Sequence, residues 1–233
     1  MMSGVTYQQR RDALETYFDR TASDAWAKLT SDAPVSGVRA TVRAGRDQIR
    51  DTLLSWFPED LAGQSVLDAG CGAGQLAFAL AERGADVEAV DLSPTLLDLA
   101  AERIPENLAG SVTFRAGDML DARGGPVDRV VAMDSVIHYG LTDMVDMLTG
   151  LAARARTSVL FTFAPRTPAL TVMHAAGKLF PKSDRSPAIV PVSEGALRKQ
   201  IARTAALSDW QIGRTQRIDS FFYISQAMEL IRR

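Results

Sequence analysis

A chain of 233 residues, 46% hydrophobic and 23% charged, can bury a sizeable core as a single domain and needs no second one. Its 26 basic and 28 acidic residues leave a formal net charge of −2, without a Lys/Arg block or basic tail, so a nucleic-acid partner is not expected. Cys71 is the only cysteine, which excludes an intramolecular disulfide and a multi-cysteine metal site, and no segment approaches the roughly 20 apolar residues of a membrane span or reads as a signal peptide.

The first 58 residues read as a helical arm. Leu14, Tyr17 and Phe18 share one stripe, Ile49, Leu53, Trp56 and Phe57 share another, and Pro58 supplies the stop. The arm also carries Trp26 and the cluster Arg39, Arg43 and Arg46. Val66 to Ala69 predicts a strand, and Gly70, Gly72 and Gly74 a tight turn into a helix that begins with Leu76 and Leu80 and closes at Gly84. Val87 to Asp91 predicts a second strand ending in a carboxylate, after which Ser93-Pro94 gives the next helix an N-cap and a first-turn proline. Strands at 111–115, 127–133 and 156–163 alternate with helices, which indicates a parallel α/β sheet, and segments near 209–219 and 220–227 pair as a closing hairpin. The expected divisions are an arm (1–58), a cofactor-binding core (59–163), a substrate lid (164–191) and a C-terminal helix with the closing strands (192–233).

Three motifs carry the chemistry of the core. The alternating glycines let the backbone approach a ligand at a helix N-terminus, and Asp91 follows Gly70 by roughly 20 residues, the spacing of a carboxylate that accepts from two ribose hydroxyls. Asp68, just before the glycines, is poorly placed for a pyrophosphate but well placed for the ammonium of a methionine moiety. The third strand ends in Gly117-Asp118-Met119, where Asp118 is expected to accept from an adenine amino group and Met119 to pack on the ring. With Leu92 and Met133 after the second and fourth strands, these residues form the expected cofactor pocket. In kind and order they resemble the class I S-adenosylmethionine-dependent methyltransferases. That resemblance implies a Rossmann-like, mostly parallel seven-stranded sheet with helices on both faces, and S-adenosylmethionine as the methyl donor.

The acceptor must be sought outside that core. The loop Met133-Asp134-Ser135-Val136-Ile137-His138-Tyr139 lacks the Asn/Asp-Pro-Pro-aromatic turn of nucleobase amino methyltransferases, which disfavours base methylation. His138 falls where a residue contacting the acceptor is expected, whereas His174 reads as a surface or packing residue. Over nearly its whole length the chain resembles the magnesium-protoporphyrin IX methyltransferases of bacteriochlorophyll and chlorophyll biosynthesis. The residues concerned are Tyr17-Phe18 followed by Trp26, Arg43-Ala44-Gly45, the turn from Asp68 to Gly74, Ile137-His138-Tyr139, Phe163-Ala164-Pro165-Arg166-Thr167, and Phe222-Tyr223.

The resemblance implies methyl transfer to a propionate of Mg-protoporphyrin IX, with His138, Tyr17 and Tyr139 at the reacting end. It implies Arg43 and Arg166 near the other propionate, and Trp26 and Met173 in an apolar wall. Leu29-Thr30 stands where some relatives carry a tyrosine, so no phenol is carried over there. Magnesium enters only as part of the porphyrin, and no protein-bound metal is expected. The implied partner is the large porphyrin-binding subunit of magnesium chelatase, and the implied location is cytoplasmic or peripheral to the photosynthetic membrane. The cofactor motifs also fit a methyltransferase of another apolar carboxylate or phenol, and a tetrapyrrole carrier without turnover.

Overall fold

The computed structural model describes residues 7–21, 37–121, 124–166, 189–220 and 222–233. Trp26, Thr30, Met173, His174 and most of the 164–191 segment lie outside the described residues. The chain opens with helix α1 (Tyr7–Thr16), a wide helical turn (Tyr17–Thr21) and α2 (Val38–Leu54). It continues through β1 (Ser65–Ala69), α3 (Gln75–Glu82), β2 (Asp86–Asp91), α4 (Pro94–Glu102), β3 (Ser111–Ala116) and β4 (Val127–Ala132). A short 3₁₀ turn (Val136–His138), α5 (Leu141–Arg154), β5 (Ala155–Phe163), α6 (Glu194–Arg203), β6 (Trp210–Ser220) and β7 (Tyr223–Arg232) complete the described elements.

The seven strands lie side by side in the order β3-β2-β1-β4-β5-β7-β6. β1 pairs in parallel with both β2 and β4, and only β7 and β6 run antiparallel to their neighbours. Alternate residues of the inner strands feed two cores, as the two-residue repeat of a strand requires. Leu67, Val130 and Phe161 pack with Met144, Leu148 and Leu151 of α5, while Val66, Val131 and Leu160 pack with Leu53 of α2 and Leu80 of α3. Helices therefore cover both faces, and this burial explains why the central strands read as continuous apolar runs. The strand order reverses at β1 and β4, which opens a crevice at their C-terminal ends. No helix of the described residues is long and apolar enough to cross a membrane.

Local signals set several boundaries. Ser93 Oγ accepts from the Leu96 N–H at 3.3 Å and Pro94 occupies the first turn, so α4 starts where the Ser-Pro pair predicts. β7 differs from expectation, running to Arg232 rather than stopping near 227. It passes through Glu229, a charge that interrupts the apolar pattern but is 2% exposed and held by Arg214 at 2.6 Å. A paired carboxylate can stay in a buried strand where an isolated one cannot.

The closing hairpin docks on α2 at one close contact. A Cβ added to Gly45 would fall 2.5 Å from Cδ1 of Tyr223, so the helix admits the tyrosine ring only because that position is bare. Gly45→Ala is expected to destabilise the protein by about 1–3 kcal/mol through overpacking, read from the urea midpoint. An unchanged midpoint would mean that the helix and the hairpin are not packed as described.

Candidate active site

The crevice beyond β1, β2 and β4 is walled by backbone and side chains from several segments. The end of β1 contributes Asp68, the turn after it Gly70 and Gly72, and the end of β2 Asp91 and Leu92. Gly117 and Met119 follow β3, while Met133, Asp134, Ser135, His138 and Tyr139 follow β4. Leu14 and Phe18 approach from the N-terminal helices, and Arg46 and Arg50 from α2.

The glycine turn is set by two steric demands. Gly70 has a φ of 87°, and an added Cβ would collide with the Ser135 side chain, so the loops after β1 and β4 touch only through a residue without one. Gly74 has a φ of 81° and caps α3. It packs toward Phe78 and Ala100 and does not reach the crevice wall, so its part is to turn the chain rather than to touch a ligand.

Asp91 is organised by that turn. Its Oδ2 accepts from the Gly72 N–H at 2.8 Å and its Oδ1 from the Ser93 N–H at 2.9 Å. Burial raises its carboxyl pKa above the ordinary value, and these N–H groups pull it back. Asp68 is 1% exposed and its Oδ2 accepts no hydrogen bond among the described residues. Burial above all, and then the negative charge of Asp91, push its pKa up to about 7, against the N–H of Ala77. A buried carboxylate oxygen without a donor is costly unless a cation with N–H groups meets it, which fits the ammonium of an amino-acid moiety. Ser135 Oγ, on the facing loop, is a second buried oxygen with no hydrogen-bond partner among the described residues.

Asp118 departs from expectation. Both its oxygens accept from Tyr7 OH at 2.9 Å, Oδ1 also accepts from the Leu120 N–H at 2.9 Å, and Arg11 lies at 3.7 Å. It does not form part of the crevice wall, although its neighbours Gly117 and Met119 do. Its carboxylate instead holds α1 over the site. The same helix stacks Tyr7 on Tyr139 with ring centroids 5.4 Å apart, and Arg10 donates to the His138 carbonyl at 2.7 Å. Beyond it, Asp19 accepts from the Thr95 hydroxyl at 2.6 Å at the start of α4.

After β4 the chain turns at Asp134, the one described non-glycine residue with a positive φ, at 53°. Its carboxylate accepts from Arg46 at 2.8 Å, Tyr223 OH at 2.9 Å and Thr162 Oγ1 at 3.1 Å, while its own N–H donates to Thr162 Oγ1 at 2.7 Å. His138 ends the 3₁₀ turn, 7% exposed on the crevice wall, with the Phe18 ring centroid 6.0 Å away. Tyr139 is 2% exposed, and burial pushes its pKa up to about 12, which keeps the phenol neutral near pH 7.

The structure thus brings together Asp68, Gly70, Gly72, Asp91, Leu92, Met119, Met133, His138 and Tyr139. Tyr17 packs its ring edge-on to Phe18, and it is Phe18 rather than Tyr17 that reaches the wall. Arg43 is likewise off the wall, where α2 presents Arg46 and Arg50. Arg43, Arg46 and Arg50 share one helix face, and Arg43 stands about one turn nearer the helix start, so height along α2 and not helical phase separates it from the wall. Arg166 is exposed and donates to the Pro191 carbonyl at 3.4 Å. Sequence reasoning missed Tyr7 and named Asp134 and Tyr223 within motifs without giving either a role, because the partners of all three are remote in the chain.

Residues 132–232 match the family model for the magnesium-protoporphyrin IX methyltransferase C-terminus, and residues 66–157 match a general methyltransferase domain. The chain is 46% identical to the magnesium-protoporphyrin O-methyltransferase of Rhodobacter capsulatus, over 96% of its own length and 97% of the relative's. Identity to the Synechocystis enzyme of the same name is 33%, over 93% and 94% of the two chains. The crystal structure of magnesium protoporphyrin IX methyltransferase from Synechocystis PCC 6803 with bound SAH superimposes with a TM-score of 0.83 at 32% identity. That match covers 96% of this chain and 100% of the other.

The buried Asp68 makes stability depend on pH. Because its folded pKa lies above the ordinary carboxylate value, its contribution is full at low pH and is lost as pH rises through about 7. Ligand-free protein should therefore lose up to about 1.4 kcal/mol per pH unit from this group across that interval. Denaturant titrations of wild type and Asp68→Asn from pH 4.5 to 7.5 should diverge in slope, and parallel curves would show that Asp68 is not buried as a titrating acid.

Proposed function

The chain belongs to the magnesium-protoporphyrin IX methyltransferase family, and on that premise we propose that it esterifies one propionate of Mg-protoporphyrin IX in bacteriochlorophyll biosynthesis. The products are the monomethyl ester and S-adenosylhomocysteine. The observation that carries this reading is the buried Asp68 carboxylate, which lines the same crevice as Ser135 and His138 and has an oxygen without a hydrogen-bond donor among the described residues. S-adenosylmethionine supplies the electrophilic sulfonium methyl when bound. Asp68 would hold its ammonium. Asp91 keeps lone pairs beyond those taken by the Gly72 and Ser93 N–H groups and would accept from the ribose hydroxyls. Leu92 and Met119 offer apolar surface to the adenine.

The residues near the acceptor have little proton chemistry to perform. A propionic acid with a pKa of about 4–5 is ionised at neutral pH, so no base must deprotonate it. The work lies in orienting a weak, hydrated oxygen nucleophile, a contribution of roughly 7–11 kcal/mol when geometry is well set. His138 is assigned that positioning role, and the neutral Tyr139 phenol stands beside it as a donor, not a base. Leu14, Phe18 and Met119 give the crevice apolar walls that exclude water. Tyr17, off the wall, receives no role in the reaction.

The substrate cover expected over 164–191 stays a proposal that rests on its two described ends alone, and Trp26 and Met173 lie outside the described residues. Support comes from its ends: Arg166 N–H donates to Val192 O, Val192 N–H to Ala164 O and Val190 N–H to Ile137 O, each at 2.9 Å. These bonds anchor both legs beside the loop that bears His138. Arg43 and Arg166 remain candidates for the outer propionate. Receipt of the porphyrin from the large subunit of magnesium chelatase, and a cytoplasmic position peripheral to the photosynthetic membrane, belong to the same reading. The family resemblance supports the partner, and the free Cys71 fits a reducing compartment.

Incubation with methyl-labelled S-adenosylmethionine and Mg-protoporphyrin IX should give labelled monomethyl ester, with little label transferred to metal-free protoporphyrin. Cofactor binding without transfer to any tetrapyrrole would favour a carrier instead. In the same assay His138→Ala should lower turnover much more than cofactor affinity, and His138→Gln should recover part of the rate by donating a hydrogen bond. Wild-type turnover in the alanine variant would remove His138 from the reaction.

A further inference from the structure

The helix that crosses the acceptor side of the crevice carries a charge where its pattern calls for an apolar residue. Tyr7, Arg10 and Leu14 recur at intervals of three and four and so share one face of α1. Leu14 is buried at the crevice wall and Tyr7 stacks on Tyr139, so this face looks inward. Arg10 Nη1 donates to the His138 carbonyl at 2.7 Å, while its buried Nε has no acceptor among the described residues. Nor does Arg10 form an ion pair with a described carboxylate within 4 Å. A half-buried guanidinium with an unmatched N–H and no counter-charge serves the fold less well than an apolar side chain, so stability does not account for it.

We infer that Arg10 is a positioning residue for methyl transfer: by clamping the His138 carbonyl it fixes the His138 ring at the acceptor end of the crevice. The inference rests on the proposed reaction, in which His138 orients the carboxylate. The turn Val136–His138 is only three residues long. The peptide that leaves it is held on its N–H side by a 3.2 Å bond from Tyr139 to the Val136 carbonyl, and on its C=O side by Arg10. Bonds within a 3₁₀ turn have poor geometry, so the shorter, charge-assisted bond from Arg10 carries more of the constraint on the residue that bears the ring. Phe18 meets that ring with centroids 6.0 Å apart and Tyr7 stacks on the next side chain at 5.4 Å. The imidazole, its carbonyl and its neighbour are thus all met from the same N-terminal segment. Arg10 is not part of the crevice wall, so it does not grip the reacting oxygen and does not lower its nucleophilicity. Its charge stands behind His138 in a crevice whose wall carries Asp47, Asp68, Asp91 and Asp134, and it favours an anionic acceptor on that side.

Steady-state turnover, calorimetric cofactor affinity and an imidazole NMR spectrum with labelled histidine would compare wild type, Arg10→Met, Arg10→Lys and Tyr7→Phe. The chain has two histidines, so the signal lost in His138→Ala assigns His138. Arg10→Met should lower kcat with Mg-protoporphyrin IX by about tenfold to a hundredfold, the scale of an ångström-sized misplacement, and change S-adenosylhomocysteine affinity by less than about twofold. It should also displace or broaden the His138 signal. Arg10→Lys keeps a cationic donor and should recover part of the rate with a smaller displacement, which keeps the test decisive if Arg10→Met folds poorly. Tyr7→Phe frees the same helix from Asp118 and should leave the His138 signal in place. In the His138→Ala background, Arg10→Met should lower turnover by less than about a further twofold. An unmoved His138 signal or wild-type kcat in Arg10→Met, equal effects of Tyr7→Phe and Arg10→Met, or a full further loss without His138 would each overturn the inference. Absence of methyl transfer by wild type would instead overturn the proposed reaction, and the His138 signal would still decide whether Arg10 holds the ring.

Discussion

Everything at the site depends on the contact between Gly70 and Ser135, where the loops after β1 and β4 approach so closely that no Cβ fits at position 70. Parallel strands alone leave a crevice at the point where their order reverses, but they do not say how the two loops that border it meet. The bare glycine lets them touch. It thereby sets Asp68 and the cofactor turn on one side against Asp134, Ser135 and His138 on the other. A donor methyl and an acceptor oxygen must share a space of a few ångströms, and the meeting of these loops brings the two binding functions within one cleft.

The second layer of organisation is the N-terminal helix, which is tied to loops of the site by polar bonds and to the core by the buried Leu14. Tyr7 holds Asp118 after β3, Arg10 holds the carbonyl of His138 after β4, and Asp19 holds Thr95 after β2. Each tie is a polar bond between partly exposed groups, worth on the order of 1 kcal/mol, whereas the sheet is held by two continuous apolar cores. With Leu14 as its one buried side chain, the helix has fewer apolar anchors than the strands and is the more easily displaced part of the structure. A large planar acceptor needs an element of this kind, because a permanently closed crevice would not admit it.

The legible part of this molecule was the part written in local pattern. β1 and β2 were readable because burial on both faces makes them short apolar runs, and α4 because Ser93 and Pro94 act within one turn. Asp68, Asp91 and the glycine turn were readable because their roles follow from position at strand ends. The tie of Asp118 to the N-terminal helix was not legible, since its partner, Tyr7, is 111 residues away. Among the arginines of α2, composition singled out a cluster, and only height along the helix separates Arg46 from Arg43, which shares its face. The loop that holds Asp134 was singled out but its turn was not: a non-glycine residue in the left-handed region is visible only once Thr162, Tyr223 and Arg46 are seen to hold it.

These features share one electrostatic logic. The crevice keeps two carboxylates, Asp68 and Asp91, at burial that raises both their pKa values. Without a cation this is a destabilised arrangement, and no described lysine or arginine forms an ion pair with either within 4 Å. Neutralising them with a permanent protein cation would stabilise the fold but would also repel a sulfonium. Leaving them for the ligand converts lost stability into affinity for a positively charged donor and less for its neutral product. Asp134 obeys the opposite rule. Its charge is fully engaged by Arg46, Tyr223 and Thr162, so it shapes the wall without competing for the sulfonium, and the site keeps its negative field where the methyl donor needs it.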